Sequence, residues 1–105
     1  MDQKDLNRFH DILHPVFKRN NVIKALMFGS IAGGTGSKRS DIDLLILVKS
    51  DKRFFDRYND FDDVYEILKG SGVDMLIYTP EELEKISNRG FIKKILSEGK
   101  IIYEH

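Results

Sequence analysis

The 105-residue chain contains no cysteine, which removes disulfides, zinc–cysteine sites and thiol catalysis together and makes a cytoplasmic protein the simplest expectation. Net charge is lacking as well, because 17 Lys and Arg residues balance 17 Asp and Glu. Such a chain has no overall field to draw it onto an anionic membrane or onto nucleic acid, so neither membrane attachment nor direct nucleic-acid binding is expected. No apolar run approaches the length of a membrane span or a signal-peptide core, and the N-terminus, Met1-Asp2-Gln3-Lys4-Asp5, is polar. A soluble, unprocessed protein follows as the expectation. Repeats, linkers and low-complexity tracts are missing, and the length suits one core but not two ordinary domains. Residues 1–105 are therefore expected to form a single domain. Two nucleotide-binding patterns are missing too. No Gly-Lys-Ser/Thr follows the glycines at P-loop spacing, and Gly34-Thr35-Gly36 leads to Arg39 where a dinucleotide fingerprint needs a third glycine.

What is present is a regular alternation of apolar patterns. Leu6, Phe9, Leu13, Val16 and Phe17 recur at three-to-four spacing and predict a first helix from about residue 2 to 19, with Pro15 as a point of bending. Val22 to Phe28 reads as a short apolar strand, and Asp41 to Val48 as a second. Ser50-Asp51 reads as the cap of a helix that carries Phe54, Tyr58, Phe61, Tyr65 and Leu68 on one stripe, closed by Gly70-Ser71-Gly72. Asp60, Asp62 and Asp63 are its wet face. Val73 to Tyr78 is a third strand, with Asp74, Leu76 and Tyr78 on one face and Val73, Met75 and Ile77 on the other. Thr79-Pro80-Glu81-Glu82 is a strong helix start. Phe91, Ile92, Ile95 and Leu96 mark a last helix before a terminal strand from Lys100 to Tyr103.

The stretch from Phe28 to Ile46 carries the chemistry. A Gly29-Ser30 turn after one apolar strand is coupled to Asp41 and Asp43 at the start of the next. Side chains two apart in a strand share a face, so both carboxylates point the same way from Cα atoms about 6.6 Å apart. Ile42, Leu44, Ile46 and Val48 form the opposite, core face. A long helical connection makes the second and third strands parallel, which brings Asp74 to the same sheet edge as Asp41 and Asp43. If the first strand pairs antiparallel with the second, Gly29 and Ser30 reach that edge too. Three carboxylates make an oxygen-rich site of the kind Mg²⁺ prefers, where a hydroxyl can be activated and a leaving pyrophosphate neutralised. Gly29 permits close backbone approach, so it and Ser30 are the candidate nucleotide-phosphate contacts. A plainer reading makes these acids caps and solvated strand ends, which suffices for Asp74 alone but not for the joint pattern. His10 and His14 lie four apart without a third ligand and read as surface or core-edge side chains. Lys38 and Arg39 are either solvated or a phosphate clamp.

Gly29-Ser30, ten residues, then Asp41-Ile42-Asp43, with Asp74 opening a later strand, resembles the nucleotidyltransferase superfamily that includes DNA polymerase beta. More narrowly, the chain resembles the minimal nucleotidyltransferases, a likeness that extends to the Gly90-Phe91-Ile92-Lys93-Lys94-Ile95-Leu96 helix and the Gly99-Lys100-Ile101-Ile102-Tyr103-Glu104 tail. It implies an α/β fold in one domain, a mixed sheet of three to four strands flanked by helices. It also implies Mg²⁺-dependent transfer of AMP from ATP, with Asp41, Asp43 and Asp74 as metal ligands and catalytic acids and Asp74 as the candidate base. Family members of this size are commonly antitoxins of helical HEPN ribonuclease toxins, and some add AMP to a tyrosine of the toxin. A HEPN-type toxin and ATP are the partners so implied. The alternative is a non-catalytic antitoxin that neutralises its toxin by binding alone. One departure from the family is that Ile31-Ala32-Gly33 supplies no Arg after the Gly-Ser turn, where many relatives carry one.

Overall fold

The structure is a computed structural model and describes residues 2–29 and 41–105. Helix α1 spans Gln3–Arg19, and the Asp2 carboxylate accepts from the Asp5 amide at 2.9 Å to cap it. Leu13, Val16 and Phe17 bury its apolar stripe, and Pro15 sits inside it. Strands β1 (Val22–Phe28) and β2 (Ile42–Val48) pair antiparallel, and β3 (Val73–Tyr78) pairs parallel with β2. Strand β4 (Lys100–Glu104) adds antiparallel to β1, so the sheet is mixed, four-stranded, and ordered β3-β2-β1-β4. The expected mixed α/β sheet is thus what forms.

Alternation along the strands builds two cores. Ile42, Leu44, Ile46, Val48, Met75 and Ile77 project to one face, where α1 supplies Leu13, Val16 and Phe17. Leu26, Leu45 and Leu76 project to the other, under helix α3 (Pro80–Ile86) and helix α4 (Gly90–Glu98), which contribute Leu83, Ile92 and Ile95. Helix α3 starts on a full capping box: the Thr79 hydroxyl accepts from the Glu82 amide at 3.3 Å while the Glu82 carboxylate accepts from the Thr79 amide at 2.9 Å. His10 and His14 lie against Tyr103, with ring centroids at 6.1 and 5.7 Å, as core-edge side chains. Among the described residues no helix is long and apolar enough to cross a membrane.

The segment after β2 departs from the expected single helix. Ser50 does accept a backbone bond, from the Lys52 amide at 3.1 Å, but Phe55–Phe61 is a 3₁₀ helix and only Asp62–Ile67, here α2, is α-helical. Asp56, Asn59, Asp60, Asp62 and Asp63 are poor helix formers whose side chains compete for backbone bonds. The change of period at Phe61 breaks the aromatic stripe: Phe61 and Val64 are buried, while Tyr65 is left exposed. Asp60 and Asp63 do face outward, as expected, and pair with Lys52 and Arg19 at 2.7 and 2.6 Å.

Arg57 stitches this segment to the sheet. Buried on the 3₁₀ helix, it donates to both Glu82 carboxylate oxygens (2.5 and 3.1 Å), to the Lys52 carbonyl and to the Ile77 carbonyl. Its hydrogen bonds hold the Glu82 carboxyl down at about 2, against an ordinary 4.5, outweighing a smaller opposing effect of burial. A depressed acid stabilises the folded state above its unfolded value and loses that contribution as the pH falls through its folded value. Stability is therefore expected to drop between pH 4.5 and about 2. Thermal melts of Glu82→Gln should show a flatter pH dependence across that window than the wild type.

Candidate active site

The β3-β2-β1 register puts Asp74, Asp43 and Phe28 in one row across the sheet. Asp43 and Asp74 are direct Cα partners in the parallel ladder, and Phe28 is the partner of Asp43 in the antiparallel one. Their neighbours Ile42, Leu44 and Met75 enter the first core, so all three row members project to the opposite face, the one that α4 covers farther along β1. Asp41, two residues before Asp43, precedes the strand and is exposed, as is Asp74, whereas Asp43 is half-buried.

The electrostatics follow from that placement. Burial pushes the Asp43 carboxyl above its usual range, and the charges of Asp74 and then Asp41 push it further, as does a hydrogen bond shared with Asp74. Of the three acids expected to converge, the structure sets Asp43 and Asp74 side by side, and Asp41 lies close enough for its charge to act on Asp43. Among the described residues no three Asp, Glu or His side chains stand together as a ready-made metal cage.

Two glycines keep the carboxylates where they are. Gly29 has φ +82°, a conformation that favours residues without a Cβ, and a Cβ built on it would overlap the Asp43 carboxylate. The Gly29 backbone therefore lies directly against the acid. Gly72 does the same for Asp41: its carbonyl accepts from the Ile42 amide at 2.7 Å, and a Cβ there would collide with the Asp41 carboxylate. Gly72 reads in the sequence only as the end of a helix, since nothing local to it marks its contact with Asp41. Ser30, the other expected phosphate contact, lies outside the described residues, as do Lys38 and Arg39.

Gly29→Ala is a sharp test of this packing. The left-handed backbone adds roughly 1 kcal/mol of strain and the new methyl must displace the Asp43 side chain. A melting temperature lowered by about 4 °C is expected for a domain of this size. An unchanged melting temperature, or an Asp43 carboxyl left in its present position in a crystal structure of the variant, would contradict the placement of Gly29.

Comparisons with known proteins bear on the fold and the family. The polymerase beta nucleotidyltransferase family matches residues 11–105. A candidate protein adenylyltransferase of Methanocaldococcus jannaschii is 34% identical over 99% of this chain and 76% of its own length. A toxin–antitoxin crystal structure with AMP-PNP superposes with a TM-score of 0.64 at 18% identity, covering 91% of this chain and 73% of that one. The complex of a tri-AMPylated Shewanella oneidensis HEPN toxin with an MNT antitoxin matches with a TM-score of 0.59 at 14% identity, over 95% of this chain and 73% of that one. At those identities the two structures speak for the fold, while the family match spans nearly the whole chain. The chain belongs to the polymerase beta nucleotidyltransferase family and is a nucleotidyltransferase by that membership.

Proposed function

We propose that this protein is a Mg²⁺-dependent adenylyltransferase that moves AMP from ATP to a tyrosine hydroxyl of a HEPN-type toxin, and so acts as the antitoxin of a toxin–antitoxin pair. The observation that carries the reading is the row of Asp74 and Asp43 on one sheet face, with the left-handed Gly29 backbone against Asp43. The adenylyltransferase relative and the AMPylated toxin complex support AMP as the transferred group and a protein as the acceptor.

The donor set fits a hard divalent cation: the carboxylates offer oxygen donors at a sheet edge, where burial first and then the charges of Asp74 and Asp41 disfavour the Asp43 anion, a cost that a cation would offset. Asp41, Asp43 and Asp74 are the side chains that would hold it. Bound Mg²⁺ would supply the positive charge that offsets the triphosphate and the departing pyrophosphate. The chain's own residues do the rest. Gly29, whose missing side chain makes room for the Asp43 carboxylate, places its backbone beside that acid as a candidate phosphate contact, with Ser30 as a second. Asp74, exposed at the end of the row, takes the proton of the attacking hydroxyl. The acceptor oxygen bonds to the α-phosphorus as the bond from that phosphorus to pyrophosphate breaks.

Titration calorimetry tests the site itself. ATP should bind with Mg²⁺ and lose at least about tenfold in affinity when EDTA is added, since the triphosphate and the carboxylates repel one another without a cation. Affinity that is indifferent to EDTA would reject the metal-dependent reading.

A further inference from the structure

Phe91 stands at the start of α4 with 61% of its surface exposed, although Ile92 and Ile95 of the same helix are buried. The core does not account for it. Its ring meets Phe28 edge-on, with centroids 6.0 Å apart and planes at 82°. Phe28 in turn is the cross-strand partner of Asp43 and the residue directly before the Gly29 turn. Paired strands lie about 5 Å apart, so the aromatic pair stands beside the carboxylate row on the same sheet face.

We propose that Phe91, backed by Phe28, is the platform on which the base of the nucleotide stacks. The inference rests on the nucleotide-transfer reading above and adds a binding residue to it. An edge-to-face pair leaves a face of the exposed ring free, and a free aromatic face is what a purine base packs against. The covalent structure of the nucleotide argues for the base rather than the acceptor. Phosphates seated at Gly29 adjoin Phe28 along the chain, and the base follows them by one ribose, whereas the acceptor must approach opposite the leaving pyrophosphate. Stacking alone tolerates any base, so GTP should use the same platform.

The test compares Mg²⁺-ATP with Mg²⁺-tripolyphosphate, which carries the phosphates without a base. Phe91→Ala should weaken ATP binding about tenfold or more and leave tripolyphosphate binding unchanged. Phe91→Leu, which keeps an apolar contact with Phe28, should lose most of the same affinity, and Phe91→Tyr should retain it. The chain has no tryptophan, so Phe91→Trp places a single indole at the site, and ATP should quench its fluorescence where tripolyphosphate does not. Unchanged ATP affinity in Phe91→Ala, or an equal loss for both ligands, would overturn the platform while leaving nucleotide transfer intact. A slower transfer with unchanged ATP affinity would also overturn it, by giving the ring to the acceptor. A wild-type protein that binds neither ligand would remove both readings.

Discussion

Asp43→Asn is expected to lower AMP transfer on the order of a thousandfold, the rate equivalent of losing about 4 kcal/mol of transition-state stabilisation from a metal-holding carboxylate. The fold should survive it. Asp43 lies at the rim of the second core rather than within it, and its charge is held there against burial and against Asp74 and Asp41. The sign of the stability change follows from the raised carboxyl. An acid whose folded value lies above its unfolded one stabilises when protonated and loses that contribution as the pH rises through the folded value, so at neutral pH the charge is a cost. Removing it should raise the melting temperature of the metal-free protein. A variant that keeps full activity would sink the proposed mechanism, and one that melts much lower would show that Asp43 serves the core instead.

Arg57→Ala should do the reverse, lowering stability by about 3 kcal/mol with no direct effect on the chemistry. The guanidinium is 4% exposed and its removal strands the Glu82 carboxylate together with the Lys52 and Ile77 carbonyls. For a domain of this length that corresponds to a fall of roughly 12 °C in melting temperature. Lys52 follows the C-terminal end of β2 and Ile77 lies near that of β3, whereas Asp43 and Asp74 lie near the opposite ends of those strands. The folded variant should therefore bind Mg²⁺-ATP normally below its melting point. A shift of less than about 4 °C would mean that the buried ion pair is no better than neutral.

The strands and the acids are legible in the sequence because both obey a period of two. Ile42, Leu44 and Ile46 alternate with Asp41, Asp43 and Leu45, and that alternation alone assigns the carboxylates to one face. The parallel pairing of β2 with β3 follows from the long helical connection, whereas the antiparallel pairing of β1 with β2 is given by the structure. Helix α3 is equally plain, since Thr79, Pro80 and Glu82 are adjacent parts of one cap. The segment from Phe54 to Leu68 is harder. Its aromatic spacing suits an α-helix, but five Asp and Asn residues within it weaken helical bonds, and a 3₁₀ turn lets Arg57 reach Glu82, 25 residues on. That bond has no local signature. The same is true of the Phe28–Phe91 pair and of Gly72 against Asp41, which exist only once α4 and the end of the α2 segment have docked on the sheet. Where the family pattern is local, as in Gly29 and the Asp41-Ile42-Asp43 triplet, the sequence suffices; where the site is completed by contacts distant in the chain, only the fold reveals them.

The central claim is transfer of AMP to a protein partner, and intact-mass spectrometry of that partner measures it directly. A HEPN-type protein from a neighbouring reading frame, the partner that the proposal requires, would be incubated with ATP, Mg²⁺ and either the wild-type protein or Asp43→Asn. The partner is expected to gain one or a few AMP units with the wild type and none with the variant. A partner that is neutralised by the wild-type protein while its mass stays unchanged would contradict that claim and would identify an antitoxin that works by binding alone.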